Sequence, residues 1–129
     1  MAASPITIFV AYPSKHPETG EALRFDMDYY LATHAPLIEK HWRSYGLLSF
    51  QVNQFPNPSP LTNDTPPYLV QTVCKFTSLQ DLKNALEQSS AETSADVQNF
   101  SNIFPTLWIA DTVQERSVAG PESDGTAQA

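Results

Sequence analysis

Three strand-like runs in this chain carry apolar side chains on both of their faces, and that restricts the folds open to it. Side chains alternate along a strand, so a sheet with one wet face reads as a regular apolar–polar alternation. Residues 6–12 (ITIFVAY) instead place Ile6, Ile8, Val10 and Tyr12 on one side and Phe9 with Ala11 on the other. Residues 68–76 (YLVQTVCKF) set Val70, Cys74 and Phe76 against Leu69 and Val73, and 106–113 (TLWIADTV) set Leu107 and Ile109 against Trp108. A fourth run, 47–55 (LLSFQVNQF), alternates with Leu48, Phe50 and Val52 on one side. One face of such a sheet takes the chain's own helices. The other carries too much apolar surface to stay in water, and a two-fold homodimer that stacks sheet on sheet removes it.

Two helical segments lie between the strands. Asp26 caps the first, in which Met27, Tyr30, Leu31, His34, Ile38, His41 and Trp42 recur at helical spacing. Pro36 interrupts this pattern: it has no N–H to donate and its ring presses on the carbonyl of Ala32, so the helix is expected to kink or restart there. Tyr45-Gly46 closes the segment. Ser78 caps the second helix, whose apolar stripe is Leu79, Leu82, Ala85 and Leu86. Residues 13–24 read as a loop, 56–67 as an exposed connection holding five of the eleven prolines, and 90–105 as a polar, turn-rich stretch ending at Pro105. Strand-helix-strand, twice over, is the βαββαβ or ferredoxin-like order, an α+β fold with a four-stranded antiparallel sheet. The domain is expected to span 1–116, and 117–129 to form a disordered tail too poor in apolar residues to fold.

The length of 129 residues suits one domain. Fourteen acids against seven scattered bases give a net charge of -7. Nucleic acid and anionic membrane both need a clustered basic face, so neither is an expected partner. Cys74 is the single cysteine, which excludes an internal disulfide and a cysteine-based zinc cluster and fits a reducing compartment. The first residues have neither a basic start nor a long apolar run, so a cytoplasmic location is expected.

Chemistry concentrates on the first helix. Asp26, Tyr30 and His34 are spaced i, i+4, i+8 along one face, which Met27 and Ile38 turn toward the sheet. An imidazole there is a general acid/base suited to neutral pH, and Tyr30, or Tyr12 and Tyr68 from strands, can donate a hydrogen bond to a carbonyl or enolate. The Ala32 carbonyl freed by Pro36 is placed to fix the tautomer of His34. Each residue also has a structural reading: His34 as a buried cross-fold hydrogen-bonder, the tyrosines as core aromatics, Asp26 as an N-cap, and Asp96 and Asn99 as turn formers. Asp26, Asn99, Tyr12, Tyr68 and Trp108 stand as substrate-binding candidates beside those roles, with Trp108 equally suited to the core or the dimer face. No histidine has partners at ligand spacing, so no metal is expected.

Several blocks together resemble the EthD family of dimeric α/β-barrel proteins. They are Tyr12-Pro13, Phe25-Asp26-Met27-Asp28-Tyr29-Tyr30 and His34-Ala35-Pro36-Leu37, then Gly46-Leu47, Pro67-Tyr68, Phe76 with Ser78, and Asp96, Asn99, Phe100 and Pro105. The match runs from about residue 6 to residue 113. The resemblance implies a dimer of ferredoxin-like subunits with a cavity between the sheet and the helices of each. It also implies relatives among polyketide cyclases, decarboxylases, lactone isomerases and cofactor-free monooxygenases. The chain departs from the family pattern in its long proline-rich loop and in the Ser/Thr-rich segment before Asp96.

Three functional classes follow. The first is a cofactor-independent lyase, cyclase or isomerase acting on a small aromatic or polyketide-derived metabolite, with His34 moving a proton beside a carbonyl and Tyr30 polarising it. The second is a non-catalytic carrier for such a metabolite. The third is a cofactor-free or haem-dependent monooxygenase, although no cationic patch offers itself to haem propionates.

Overall fold

A computed structural model describes residues 4–120. Strand β1 (Ile6–Pro13) leads into a short helix α1 (Met27–Tyr29), a π-helical turn (Tyr30–His34) and helix α2 (Ala35–Trp42). Strands β2 (Leu47–Gln54) and β3 (Tyr68–Phe76), the long helix α3 (Leu79–Val97) and strand β4 (Thr106–Asp111) complete the chain. The strands form one antiparallel sheet in the order β2-β3-β1-β4. That is the expected ferredoxin-like α+β fold, with both helical segments against one face. Residues 112–120 form no helix or strand and are exposed, and 121–129, the rest of the expected disordered tail, lie outside the described residues.

The caps fall where the sequence puts them. The Asp26 carboxylate accepts from the Tyr29 amide at 3.0 Å, and the Ser78 hydroxyl accepts from the Asp81 amide at 3.1 Å. The first helical segment restarts at Pro36, as expected: α2 begins at Ala35 with Pro36 in its first turn. Just before it the backbone widens into a π turn, in which the Ala35 amide reaches back to the Tyr30 carbonyl. A widened turn makes room for the proline ring and for its missing hydrogen bond. Gly46 adopts φ 98, a left-handed conformation that reverses the chain into β2.

Three expectations are corrected. Residues 90–97 are not turns: α3 runs on to Val97, and its buried stripe continues as Ser89, Thr93 and Val97. The hydroxyls of Ser89 and Thr93 bond the carbonyls of Ala85 (2.6 Å) and Ser89 (3.1 Å), so these polar residues are satisfied inside the helix. In β2, Leu48 is exposed rather than inward. A register shift between Leu47 and Ser49 turns Leu47 toward Phe76 on the helix side, because a one-residue slip exchanges the faces of a strand. The outer sheet face is also less apolar than the strand patterns suggest. Pairing aligns Val73, Phe9 and Trp108 in one apolar row, flanked by rows holding Lys75 with Thr7 and Gln71 with Thr106.

Two clusters fill the space between sheet and helices. Ile6, Ile8, Trp42, Phe76, Leu82 and Ala85 form one, and Tyr12, Tyr30, Val70, Val97 and Phe100 the other. The indole of Trp42 donates to Ser89 at 2.8 Å and ties α2 to α3. Between the clusters the packing opens into a cavity.

Candidate active site

The cavity has a volume of about 220 Å³. Ile8, Val10, Thr72 and Cys74 form its floor on the sheet, and Tyr30, His34, Ile38 and Trp42 form one helical wall. Helix α3 supplies Leu86, Ser90, Thr93, Ser94 and Val97, while Phe104, Pro105 and Leu107 stand at the mouth. No lysine, arginine, aspartate or glutamate lines it. Haem propionates would therefore find no counter-charge there.

His34 is the titratable centre. It is buried, with the ring of Tyr30 stacked beside it at 5.3 Å and that of Phe100 tilted against it at 4.5 Å. Its Nδ1 lies 2.9 Å from Oδ2 of Asp96. The other oxygen of Asp96, Oδ1, accepts from the Tyr29 hydroxyl at 2.6 Å and from the Asn99 amide at 2.9 Å. Burial alone would raise the Asp96 carboxyl, but the three donors together hold it below its ordinary value, so it is ionised at neutral pH. An ionised carboxylate only accepts, so Nδ1 of His34 carries the proton and Nε2 keeps its lone pair. Burial lowers the His34 pKa despite the raising influence of Asp96, so the ring is neutral at pH 7. Nε2 has no protein partner among the described residues.

The tautomer is thus fixed by Asp96 and not by the Ala32 carbonyl, as the proline argument had it. The i, i+4, i+8 expectation holds only in part. Tyr30 and His34 share the cavity wall, and the Tyr30 hydroxyl is hydrogen-bonded to Thr72. Burial pushes the Tyr30 phenol up to about 12, so it stays protonated and able to donate. Asp26 stays at its cap and lines a separate shallow hollow with Asn99.

The other candidates divide likewise. Tyr12 lines the cavity, and burial first of all raises its pKa. Tyr68 does not, because it begins β3 opposite Pro13, past the Tyr12 end of the cavity. Trp108 lies on the outer sheet face opposite Phe9 and is 61% exposed, so it belongs to that surface. Cys74 is on the cavity floor, but burial lifts its thiol to about 12 and leaves it unreactive. His41 pairs with Glu92 at 2.9 Å, and the His16 ring accepts from the amides of Glu18 and Thr19. No group of three metal-ligating residues occurs among the described residues.

Sequence reasoning read Asp96 as a turn former and missed its place beside His34. Its signal was present: the stripe Leu82, Ala85, Ser89, Thr93, Val97 keeps helical spacing once serine and threonine are allowed on the buried face. Extending the helix would have placed Asp96 at its inner C-terminal end.

No family model and no curated protein sequence matches the chain. Solved structures do. An EthD-like protein from Ralstonia eutropha JMP134 is 25% identical with a TM-score of 0.74, over 89% of this chain and 97% of that one. An ethyl tert-butyl ether D (EthD) family protein from Bacillus halodurans C-125 is 20% identical with a TM-score of 0.59, over 84% and 98%. SnoaB, a cofactor-independent oxygenase from Streptomyces nogalater (its N63A mutant), shares the fold at 8% identity and a TM-score of 0.59, over 88% and 97%. The fold therefore places the chain in the ferredoxin-like α+β class. Within that class the chain is similar to EthD-like proteins, in agreement with the resemblance read from its sequence.

Proposed function

We propose that this protein is a cofactor-independent lyase, cyclase or isomerase that moves a proton on a small aromatic or polyketide-derived metabolite. The observation that carries the reading is the His34–Asp96 pair, which leaves one unpaired imidazole nitrogen on the wall of an apolar cavity. Nε2 removes a proton from the carbon beside a carbonyl, giving imidazolium and enolate. Asp96 stabilises the imidazolium, and a tyrosine hydroxyl donates to the enolate oxygen. Returning the proton to another atom isomerises the substrate; expelling a leaving group makes the enzyme a lyase; attack of the enolate on a second carbonyl closes a ring.

The working unit is a homodimer in this reading. The row Val73, Phe9 and Trp108 lies uncovered on the outer sheet face, and burying apolar area contributes roughly 25 cal/mol per Å². Solvent deuterium exchange at the α-carbon of 1-tetralone tests the chemistry without the natural substrate. Wild type is expected to exchange the α-protons well above the buffer rate, and His34→Ala to fall back to it while staying folded. A folded wild type that binds the ketone but exchanges nothing points to a carrier instead.

A further inference from the structure

Two features of the cavity have no part in holding the fold: a buried hydroxyl without a partner and a lining without charge. Tyr12 is 1% exposed and lines the cavity, yet its hydroxyl has no hydrogen-bond partner among the described residues. The neighbouring phenols differ, since Tyr30 is bonded to Thr72 and Tyr29 to Asp96. The Tyr12 ring is clamped edge-on by Phe25 at 4.9 Å and Phe100 at 5.8 Å, so it cannot swing to another acceptor. Buried hydroxyls nearly always have a partner, and one left open on a cavity wall is available to a ligand.

The lining sets the charge. The nearest carboxylate is Asp96 behind His34, and no cation lines the wall to offset it. An anion entering here loses its hydration, meets a negative charge at short range, and gains a counter-ion only if the neutral His34 first takes up a proton. Size sets the rest. An apolar cavity of about 150 Å³ holds benzene, so 220 Å³ accommodates a second fused ring.

We infer that the cavity selects an uncharged two-ring ligand bearing a carbonyl oxygen, and that the Tyr12 hydroxyl donates to that oxygen. Resting on the reading of the cavity as a substrate site, this assignment narrows it. Substrates that carry a free carboxylate are excluded, and decarboxylation with them; proton transfer beside a ketone remains. Tyr12 becomes the group that selects ketones and holds the enolate oxygen, while His34 moves the proton.

Isothermal titration of the full chain at pH 7 with 1-tetralone, 1-naphthoate and tetralin tests it. The ketone is expected to bind at least about tenfold tighter than the carboxylate, which is of similar size. Tyr12→Phe is expected to weaken the ketone by about five- to tenfold and to leave tetralin, which has no oxygen, unchanged. Naphthoate binding as tightly as tetralone would overturn the charge class, and an unaltered ketone affinity in Tyr12→Phe would overturn the donor, both while the cavity stands as a binding site. Failure of all three probes on the unmodified chain would overturn the substrate-site reading and this assignment together. The wild-type series decides the charge class without any variant.

Discussion

Replacing Asp96 by asparagine changes one atom's chemistry and should disable His34. Three donors converge on the carboxylate: Tyr29 and Asn99 on Oδ1 and His34 on Oδ2. An amide offers a single oxygen. If that oxygen stays with Tyr29 and Asn99, the new NH2 faces Nδ1 of His34 and forces it to accept, which moves the imidazole proton to Nε2. The nitrogen on the cavity side is then no longer a base. The reverse orientation opposes two NH2 groups at Asn99, so it is the poorer one.

The lost charge matters as well. Two unit charges about 4 Å apart interact by about 4 kcal/mol at an effective dielectric constant of 20. Asp96 is 13% exposed at its side chain, so about 3 kcal/mol is a fair share, or about 100-fold in rate. Stability should fall by about 1 kcal/mol, because hydrogen bonds to a charged acceptor become neutral ones. The assay is tetralone α-exchange followed by NMR across pH, with the melting temperature measured on the same sample. Wild-type exchange should rise with pH and level off once His34 is neutral, with a midpoint below the ordinary 6.5. A folded Asp96→Asn variant that exchanges at the wild-type rate would refute the pairing argument.

Other outcomes follow from the same structure. Trp108→Asp, on the edge strand of the outer sheet face, should give a monomer by light scattering at micromolar concentration where wild type is a dimer, and a wild-type monomer there would remove the dimer altogether. Leu82→Ala should cost about 2–5 kcal/mol in chemical denaturation, because Leu82 is 1% exposed against Trp42 and Phe76; a loss under about 1 kcal/mol would mean the core packs differently. Stability should decline below pH 6.5 and again toward pH 4. His34 and Asp96 both have lowered pKa values, so the unfolded chain takes up protons first as pH falls. A melting temperature flat from pH 7 to pH 4 would contradict that. Removing residues 117–129 should leave the melting temperature unchanged, and a drop of several degrees would show that they pack on the domain.

The parts legible in the sequence were those that local chemistry decides. The β-branched and aromatic runs at residues 6–12 and 68–76 gave β1 and β3, and Asp26 and Ser78 marked their helices because a capping side chain acts within one turn. His34 stood out because its residue type and its place on an inward face agree. What escaped depends on partners distant in sequence. The Asp96 interaction with His34 spans 62 residues, and neither residue's neighbours announce the other. The slip at Leu47/Ser49 is set by pairing with Phe76, so alternation alone put Leu48 on the wrong side. Thr93 reads as a turn residue until its hydroxyl is seen to bond the Ser89 carbonyl one turn back. Trp108 was ambiguous because an edge strand with apolar residues on both faces does not declare which face meets the helices.

His34 stands neutral in the cavity, with its proton on Nδ1 and a lone pair on Nε2. Long-range ¹H–¹⁵N NMR of the His34 ring at pH 7 reads this directly. A protonated Nδ1 and an unprotonated Nε2 are expected, with Nε2 gaining a proton only on acidification below 6.5. A ring protonated on both nitrogens at pH 7, or a neutral ring with its proton on Nε2, would contradict it.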